Sequence, residues 1–156
     1  MQDYSTSSWF KYLSPRQRDL VRVSYQLLEK QDKDQPLADY GFLVFSMSKA
    51  YEGFLKKYLL DFNLINYKTY QSRRFRIGRS LNPDVNLKQR DEWWLYDDLV
   101  KICNEGVARE LWQTWLECRN RVFHFFPEQK GQLSLEEATA KLLKISKAME
   151  VAVACL

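Results

Sequence analysis

Residues 38–62, ADYGFLVFSMSKAYEGFLKKYLLDF, decide the fold of this 156-residue chain. Large apolar side chains recur here every three or four residues, the spacing that places them on one face of an α-helix. The stretch therefore predicts a long helix with one buried stripe. Gly53 lies inside it, where the lack of a side chain favours a tight crossing with another helix. The stripe consists of Tyr40, Leu43, Met47, Tyr51, Phe54, Tyr58 and Phe62.

The same kind of spacing predicts helices on both sides of this stretch. Ser14 and Gln17 form a capping box with Pro15 at the first helical position, so a helix is expected from there to about Gln31. Further helices are predicted over 91–104, with a stop at Glu105-Gly106, over 107–123, and from the capping box at Ser134 onward. The expected buried positions are Leu20, Val23 and Leu27, then Leu111, Trp115, Cys118 and Val122, and finally Ala138, Leu142, Ile145, Met149 and Ala152.

Residues 63–90 interrupt the helical pattern with asparagine, glycine and proline, which favour turns and loops. They predict either a long ordered loop with a short helix or a partly mobile flap. Residues 68–90 contain seven basic side chains and one acidic one, although the whole chain carries a net charge of only +4. Such a local excess attracts phosphate through counterion release, and a solvated basic loop without a partner is the alternative. The expected RNA contacts are Arg73, Arg74, Arg76 and Arg79.

These patterns contain no convincing strand, so we expect an all-α, antiparallel bundle of four to five helices in one domain spanning 1–156. The chain has no uninterrupted apolar run of about 18 residues that could span a membrane. It also begins without a signal-peptide pattern, so a cytoplasmic location is expected. The aromatic side chains at helical spacing are expected in the core rather than on a base-stacking surface. They are Trp93, Trp94, Trp112, Trp115, Phe123, Phe125 and Phe126.

The cysteines and the single histidine limit the chemistry of the chain. Cys103, Cys118 and Cys155 are irregularly spaced and odd in number, which argues against a disulfide framework. With one histidine, a zinc site made from histidine and cysteine is nearly excluded. We therefore expect three buried free thiols, no metal and no cofactor.

The segment CRNRVFHFFP, residues 118–127, holds the candidate chemistry. Histidine is suited to proton transfer near neutral pH, and arginine offers a fixed positive charge for phosphate oxygens. In a regular helix Arg119 and His124 would lie roughly 140° apart, so either the helix unwinds before His124 or the segments of two chains meet across a two-fold axis. Asn120, one turn before His124, is placed to orient the imidazole. Alternatively, His124 is a packed interior histidine and Arg119 an ordinary ion-pairing residue.

Arg119, the polar neighbour Asn120 and His124 after four intervening residues resemble the R-x(4–6)-H motif of the HEPN superfamily. The segment 48–57, SKAYEGFLKK, is similar to the second helix of RnlA-like HEPN toxins. The resemblance implies a HEPN-like helical domain and a metal-independent endoribonuclease. It further implies a homodimer with its active site at the subunit interface, acting as a toxin or antiviral effector restrained by a cognate antitoxin. Glu52 and Arg121 are additional candidate site residues.

The expected reaction follows from the chemistry of RNA. The 2′-hydroxyl of a ribose can attack the adjacent phosphate, so the protein needs a base and a stabilising cation but no nucleophile of its own. The products are a 2′,3′-cyclic phosphate and a 5′-hydroxyl. The alternative is a non-catalytic HEPN-like module that binds RNA, a nucleotide or a protein with the same surface.

Overall fold

Helices joined by loops make up the computed structural model, which describes residues 4–128 and 131–156 and contains no strand in them. The all-α prediction is confirmed. None of the described helices has the length and apolar character needed to cross a membrane. The helices are α1 Ser8–Tyr12, α2 Pro15–Glu29, α3 Gly41–Asp61, α4 Tyr67–Gln71, α5 Ile77–Ser80, α6 Tyr96–Ile102, α7 Glu105–Trp115, α8 Arg121–Phe123 and α9 Leu135–Val153. A π-helical turn, Leu116–Asn120, joins α7 to α8, and 3-10 helices cover Tyr4–Thr6 and Leu87–Gln89.

The central helix of the bundle is α3, which packs against α2, α9 and the π-helical turn. Its predicted stripe is confirmed: Tyr40 at the N-cap and the five stripe residues within the helix are buried, and Phe62 is half-buried. The tight crossing at Gly53 is confirmed as well. A Cβ atom placed there would lie only 2.6 Å from the side-chain nitrogen of Gln17 in α2.

The long helices α2, α3, α7 and α9 alternate in direction along the chain, as an antiparallel bundle requires. Contacts of these helices and of the residues that flank them show the alternation. Tyr12 and Gln17 meet Asp61 and Gly53; Phe45 and Tyr51 meet Phe123 and Leu111; Cys103 and Glu117 meet Cys155 and Lys144.

Both predicted capping boxes are present, at Ser14 and at Ser134. The buried stripe of α9 is also confirmed, since all five of its predicted residues are fully buried.

The predicted stripe of α2 is confirmed only in part. Leu20 and Leu27 are half-buried against the core, but Val23 is exposed, whereas Val21, Ser24 and Tyr25 are buried. The Tyr25 hydroxyl on this buried face lies 3.2 Å from the Ser146 hydroxyl of α9.

The predicted start of the third helix, at Asp91, and its predicted stop are both wrong. The residues from Asp91 to Leu95 form turns, since the Asp91 carboxylate accepts a hydrogen bond from the Trp93 backbone at 3.1 Å. The predicted stop at Glu105-Gly106 lies instead in the first turn of α7. The Asn104 side chain caps this helix by accepting a hydrogen bond from the Val107 backbone at 2.9 Å.

Residues 63–90 fold as α4, α5 and a 3-10 helix. Phe75, Ile77 and Leu81 in this segment are buried in the core. Of the two alternatives, the structure therefore shows the ordered one, held in place by its own apolar side chains.

The prediction of three free thiols is wrong for two of them. Cys103, at the end of α6, and Cys155, after α9, form a disulfide with their Cα atoms 5.8 Å apart. Cys118 remains free and buried. The spacing of 52 residues gives no sign of this pair, because only the packing of the two helix ends brings the sulfur atoms together.

Candidate active site

A local change of helix type sets the positions of Arg119 and His124. In the turn Leu116–Asn120, the backbone N–H of Arg121 donates to the carbonyl of Leu116, five residues back instead of four. The helix then ends at Phe123, and His124 has an extended backbone with φ −103° and ψ 137°. The helix thus unwinds before His124. This is the first of the two arrangements expected to bring Arg119 and His124 together, since they would lie roughly 140° apart in a regular helix. Pro127 prevents the helix from continuing much further.

A groove of about 220 Å³ lies between α3 and the segment 119–124. It brings together three of the predicted site residues, Glu52, Arg119 and His124. Asn120 and Arg121 are not among its lining residues, and in the described part of the chain the Asn120 side chain makes no hydrogen bond to His124. The lining of this groove consists of Phe45, Ser48, Lys49, Glu52, Arg119, Phe123 and His124.

Arg119 is half-buried and rests on an aromatic support. Its guanidinium carbon lies 5.1 Å from the ring centroid of the buried Trp115. Within the residues that the structure describes, no carboxylate pairs with this guanidinium. The charge is therefore held in place by the indole while its hydrogen-bond donors stay available to a ligand.

The α3 wall of the groove contributes three residues that sequence reasoning missed: Phe45, Ser48 and Lys49. The Lys49 ammonium lies 5.6 Å from the Phe45 ring centroid, whereas the Ser48 hydroxyl donates to carbonyls of its own helix at 3.0 Å. Phe45, Lys49 and Glu52 are spaced as i, i+4 and i+7, so they share the face of α3 beside the buried stripe. That spacing from Glu52 was a signal that could have found them.

His124 is exposed, so the alternative of a packed interior histidine is excluded. A second cavity, of about 470 Å³, adjoins its other side and includes Phe125 and Asp39. The Asp39 carboxylate is occupied by the backbone N–H groups of Gly41 and Leu133, at 2.9 and 3.0 Å. The imidazole is thus accessible from two sides and belongs to the surface.

The prediction that the aromatic side chains lie in the core is wrong for three of them. Phe125 is 88% exposed, and Phe123 and Phe126 are 37% and 38% exposed. They lie where the chain leaves the helix, so they lose the helical spacing on which the prediction rested. Trp115 is buried as predicted, and the other tryptophans of the set, Trp93, Trp94 and Trp112, are half-buried against the core.

The four predicted RNA-binding arginines lie elsewhere, before and within α5. Arg73, Arg74, Arg76 and Arg79 are exposed, and none of them lines the groove. Arg79 forms an ion pair with Asp91 at 2.9 Å. The structure therefore separates the predicted RNA-binding residues from the predicted catalytic residues.

No family model, curated protein or solved structure matches this chain. Among the described residues, no group of three histidine, cysteine, aspartate or glutamate side chains is placed to hold a metal ion.

Proposed function

We propose that the chain is a metal-independent endoribonuclease that cuts RNA in the groove lined by Arg119 and His124. The observation that carries the proposal is that an exposed imidazole and a half-buried guanidinium, with which no described carboxylate pairs, open to one groove. Lys49 adds a second cation and Glu52 a single acid. These groups suit a phosphodiester, whose cleavage needs proton transfer and the stabilisation of negative charge.

In the proposed reaction the 2′-hydroxyl oxygen of a ribose forms a bond to the adjacent phosphorus atom. His124 takes the hydroxyl proton, and the bond between phosphorus and the 5′-oxygen of the next nucleotide breaks. That oxygen receives a proton and leaves as a 5′-hydroxyl, while the phosphate remains as a 2′,3′-cyclic diester. Because the nucleophile belongs to the RNA, the protein has only to move protons and stabilise charge.

Arg119 would stabilise the extra negative charge that phosphorus-bound oxygens gain in the transition state. Its planar group is already oriented by Trp115, so little freedom is lost when phosphate binds. Glu52 would accept a hydrogen bond from the imidazolium that forms when His124 takes the proton. Asn120 and Arg121 lie outside the groove lining, so the proposed reaction gives them no direct contact with the phosphate.

A homodimer completes the proposal. Phe123, Phe125 and Phe126 present an exposed apolar surface beside the groove, and such surfaces on small proteins are typical of interaction sites. Two-fold pairing there would bring in His124 of the partner subunit as the acid that protonates the leaving oxygen. The HEPN resemblance supports this arrangement, along with a role as a toxin or antiviral effector bound by a cognate antitoxin.

The test is cleavage of end-labelled single-stranded RNA in the presence of EDTA, with analysis of the product ends. We expect cleavage that leaves cyclic phosphates and falls by about 10²–10³-fold in Arg119→Ala and in His124→Ala. Arg16→Ala is the matched control, since it removes the same charge from an exposed position of α2 and should cleave normally. Sedimentation of the same samples measures the dimer.

Two outcomes would contradict the proposal. Equal RNA degradation by the wild type, Arg119→Ala and His124→Ala would assign the activity to a contaminant. Salt-sensitive RNA binding without any cyclic-phosphate product would instead favour the non-catalytic binding module.

A further inference from the structure

Another cavity, much smaller than the two at His124, lies beside α5. Its volume is about 50 Å³, and it shares no lining residue with the groove. The cavity admits a group of only a few heavy atoms, since a cavity needs about 10–15 Å³ of such volume to hold a single water. We call it the arginine pocket; its lining residues are Arg74, Arg76, Arg79, Ser80 and Trp93.

Ser80, one of the lining residues of this pocket, has a buried hydroxyl. The residue is 1% exposed, and its oxygen has no hydrogen-bond partner among the described residues. Its backbone is fixed, because the Ser80 carbonyl accepts a hydrogen bond from the Leu95 backbone at 2.8 Å. A buried hydroxyl without a partner is unfavourable, so a ligand that accepts its proton would be bound in part by satisfying it.

The charges around the pocket favour an anion. Arg79 is held by Asp91 and by the Gln89 carbonyl, at 2.9 and 2.6 Å. Arg74 and Arg76 are exposed, and no carboxylate of the described chain pairs with them. Three positive charges against one negative charge leave a surplus of two, which matches a phosphate dianion.

The half-buried Trp93 forms a rigid wall of the pocket. Its ring meets the buried Phe75 edge-on, with centroids 6.0 Å apart. A pocket this small with one flat wall excludes a nucleobase but accepts a compact group with several oxygen atoms. The ring also gives a local probe, because its indole N–H has its own NMR signal.

We infer that the arginine pocket binds a phosphoryl group, with Arg74, Arg76 and Ser80 as its contacts. The phosphoryl group is either a free phosphate or a phosphate of an RNA strand. This site is independent of the groove, so it holds whether or not the groove cuts RNA. The basic surface predicted from the sequence thus contains one site with a defined ligand chemistry.

The first experiment titrates the full chain with inorganic phosphate at constant ionic strength and follows amide and indole NMR signals. We expect saturable shifts at Trp93, Gly78 and Ser80. The dissociation constant should rise at least tenfold in the double variant Arg74→Ala, Arg76→Ala. In Ser80→Ala it should rise about three- to tenfold, with no loss of thermal stability because an unpartnered hydroxyl is removed.

Two matched controls separate a built site from general charge. Arg16→Ala removes an exposed arginine that does not line the pocket, and Ser24→Ala removes the other buried hydroxyl that has no partner in the described chain. Both should bind phosphate like the wild type. Non-saturable shifts, or an Arg16→Ala effect as large as that of the double variant, would overturn the inference.

A second experiment identifies the source of the phosphoryl group. It compares non-cleavable, 2′-O-methyl oligonucleotides with a 5′-phosphate or a 5′-hydroxyl. A preference of fivefold or more for the 5′-phosphate that disappears in the double variant identifies a terminal phosphate. Equal affinities that both fall in the double variant identify a backbone phosphate, and unchanged oligonucleotide affinities identify the free anion. If the double variant alters neither phosphate nor oligonucleotide binding, the inference is wrong.

Discussion

The two ends of α3 lie in contrasting surroundings. At its C-terminal end, the disulfide end, the buried Tyr58 hydroxyl donates to the Ala152 carbonyl at 2.8 Å and lies 3.3 Å from the sulfur of Cys103, which is bonded to Cys155. At its N-terminal end, the groove end, Phe45 is exposed and faces Arg119 and His124 across the groove. The disulfide end is held by a covalent bond and hydrogen bonds, whereas the groove end leaves polar and apolar groups accessible to a ligand.

The contrast separates stability from function. Groups at the disulfide end satisfy one another, so their free energy is already gained in the isolated fold. Groups at the groove end gain theirs only when a ligand or partner arrives, which is typical of binding sites. Substitutions at the two ends should therefore affect different measurements.

The largest expected effect comes from two single substitutions, one at each end of α3. His124→Asn should lower the RNA cleavage rate by about 10²–10⁴-fold, because proton transfer is lost, and change the free energy of unfolding by no more than about 0.5 kcal/mol. Tyr58→Phe should leave the cleavage rate unchanged and cost about 0.5–1.5 kcal/mol of stability, because one hydrogen bond is lost while the Ala152 carbonyl keeps the Cys155 backbone N–H as a donor. Single-turnover cleavage and urea unfolding measure the two effects. A destabilised His124→Asn or an inactive but stable Tyr58→Phe would break the separation.

The next largest effect is that of reducing the disulfide. Its two cysteines are 52 residues apart in sequence. Closing a loop of this size restricts the unfolded chain, so reduction should cost about 2–4 kcal/mol of stability. Urea unfolding with and without a phosphine reductant measures it, and the double variant Cys103→Ser, Cys155→Ser should show no response to reductant. At 25 °C the folded, reduced protein should still cleave RNA, since the groove lies at the other end.

The sequence predicted different features of the structure at the two ends of α3. The core stripes of α3 and α9 and the caps at Ser14 and Ser134 were predictable, because they depend on local spacing and local hydrogen bonds. The pairing of Cys103 with Cys155 was not, since it depends on where two distant helix ends meet.

At the groove end, the resemblance to the HEPN motif identified Arg119, His124 and Glu52 as candidates, but the sequence did not predict which residues surround them. The π-helical turn has no sequence signature in Leu116–Asn120, and it alters the helical geometry immediately before His124. Phe125 has the apolar character of a core residue, and only the end of α8 leaves it exposed. The error at Val23 in α2 has another origin, because apolar spacing does not predict that a polar residue, Ser24, is buried while Val23 is exposed.

A smaller effect should appear at alkaline pH through Cys118, on the buried side of the π-helical turn. Burial raises the pKa of the Cys118 thiol to about 11, from an ordinary value of 9.0. The folded state therefore favours the protonated thiol. This contribution is complete below pH 9 and is lost as the pH rises through 11, at about 1.4 kcal/mol per pKa unit, or roughly 3 kcal/mol in all.

Comparison with Cys118→Ala isolates that contribution, because the tyrosines with raised pKa values titrate in both proteins. At pH 8 the wild type should be more stable by about 1 kcal/mol, the cost of the small cavity in the variant. Near pH 11 the order should reverse. Urea unfolding at both pH values provides the measurement, and a difference that does not change with pH would show that the thiol titrates normally.

The smallest effect tests whether the groove end is mechanically connected to α5. A Cβ atom on Gly78 would lie 2.7 Å from the indole nitrogen of Trp115, and the Trp115 ring supports Arg119. Gly78→Ala should cost about 1 kcal/mol, because the strain on a rigid ring exceeds the gain from replacing glycine. It should also lower the cleavage rate several-fold by moving the guanidinium. Gly106→Ala is the control, since this glycine lies in the first turn of α7, outside the groove lining, and a Cβ atom there would meet only the Asn104 side-chain oxygen, at 3.1 Å. If Gly78→Ala loses stability but cleaves RNA at the wild-type rate, Trp115 only fills the core and does not position Arg119.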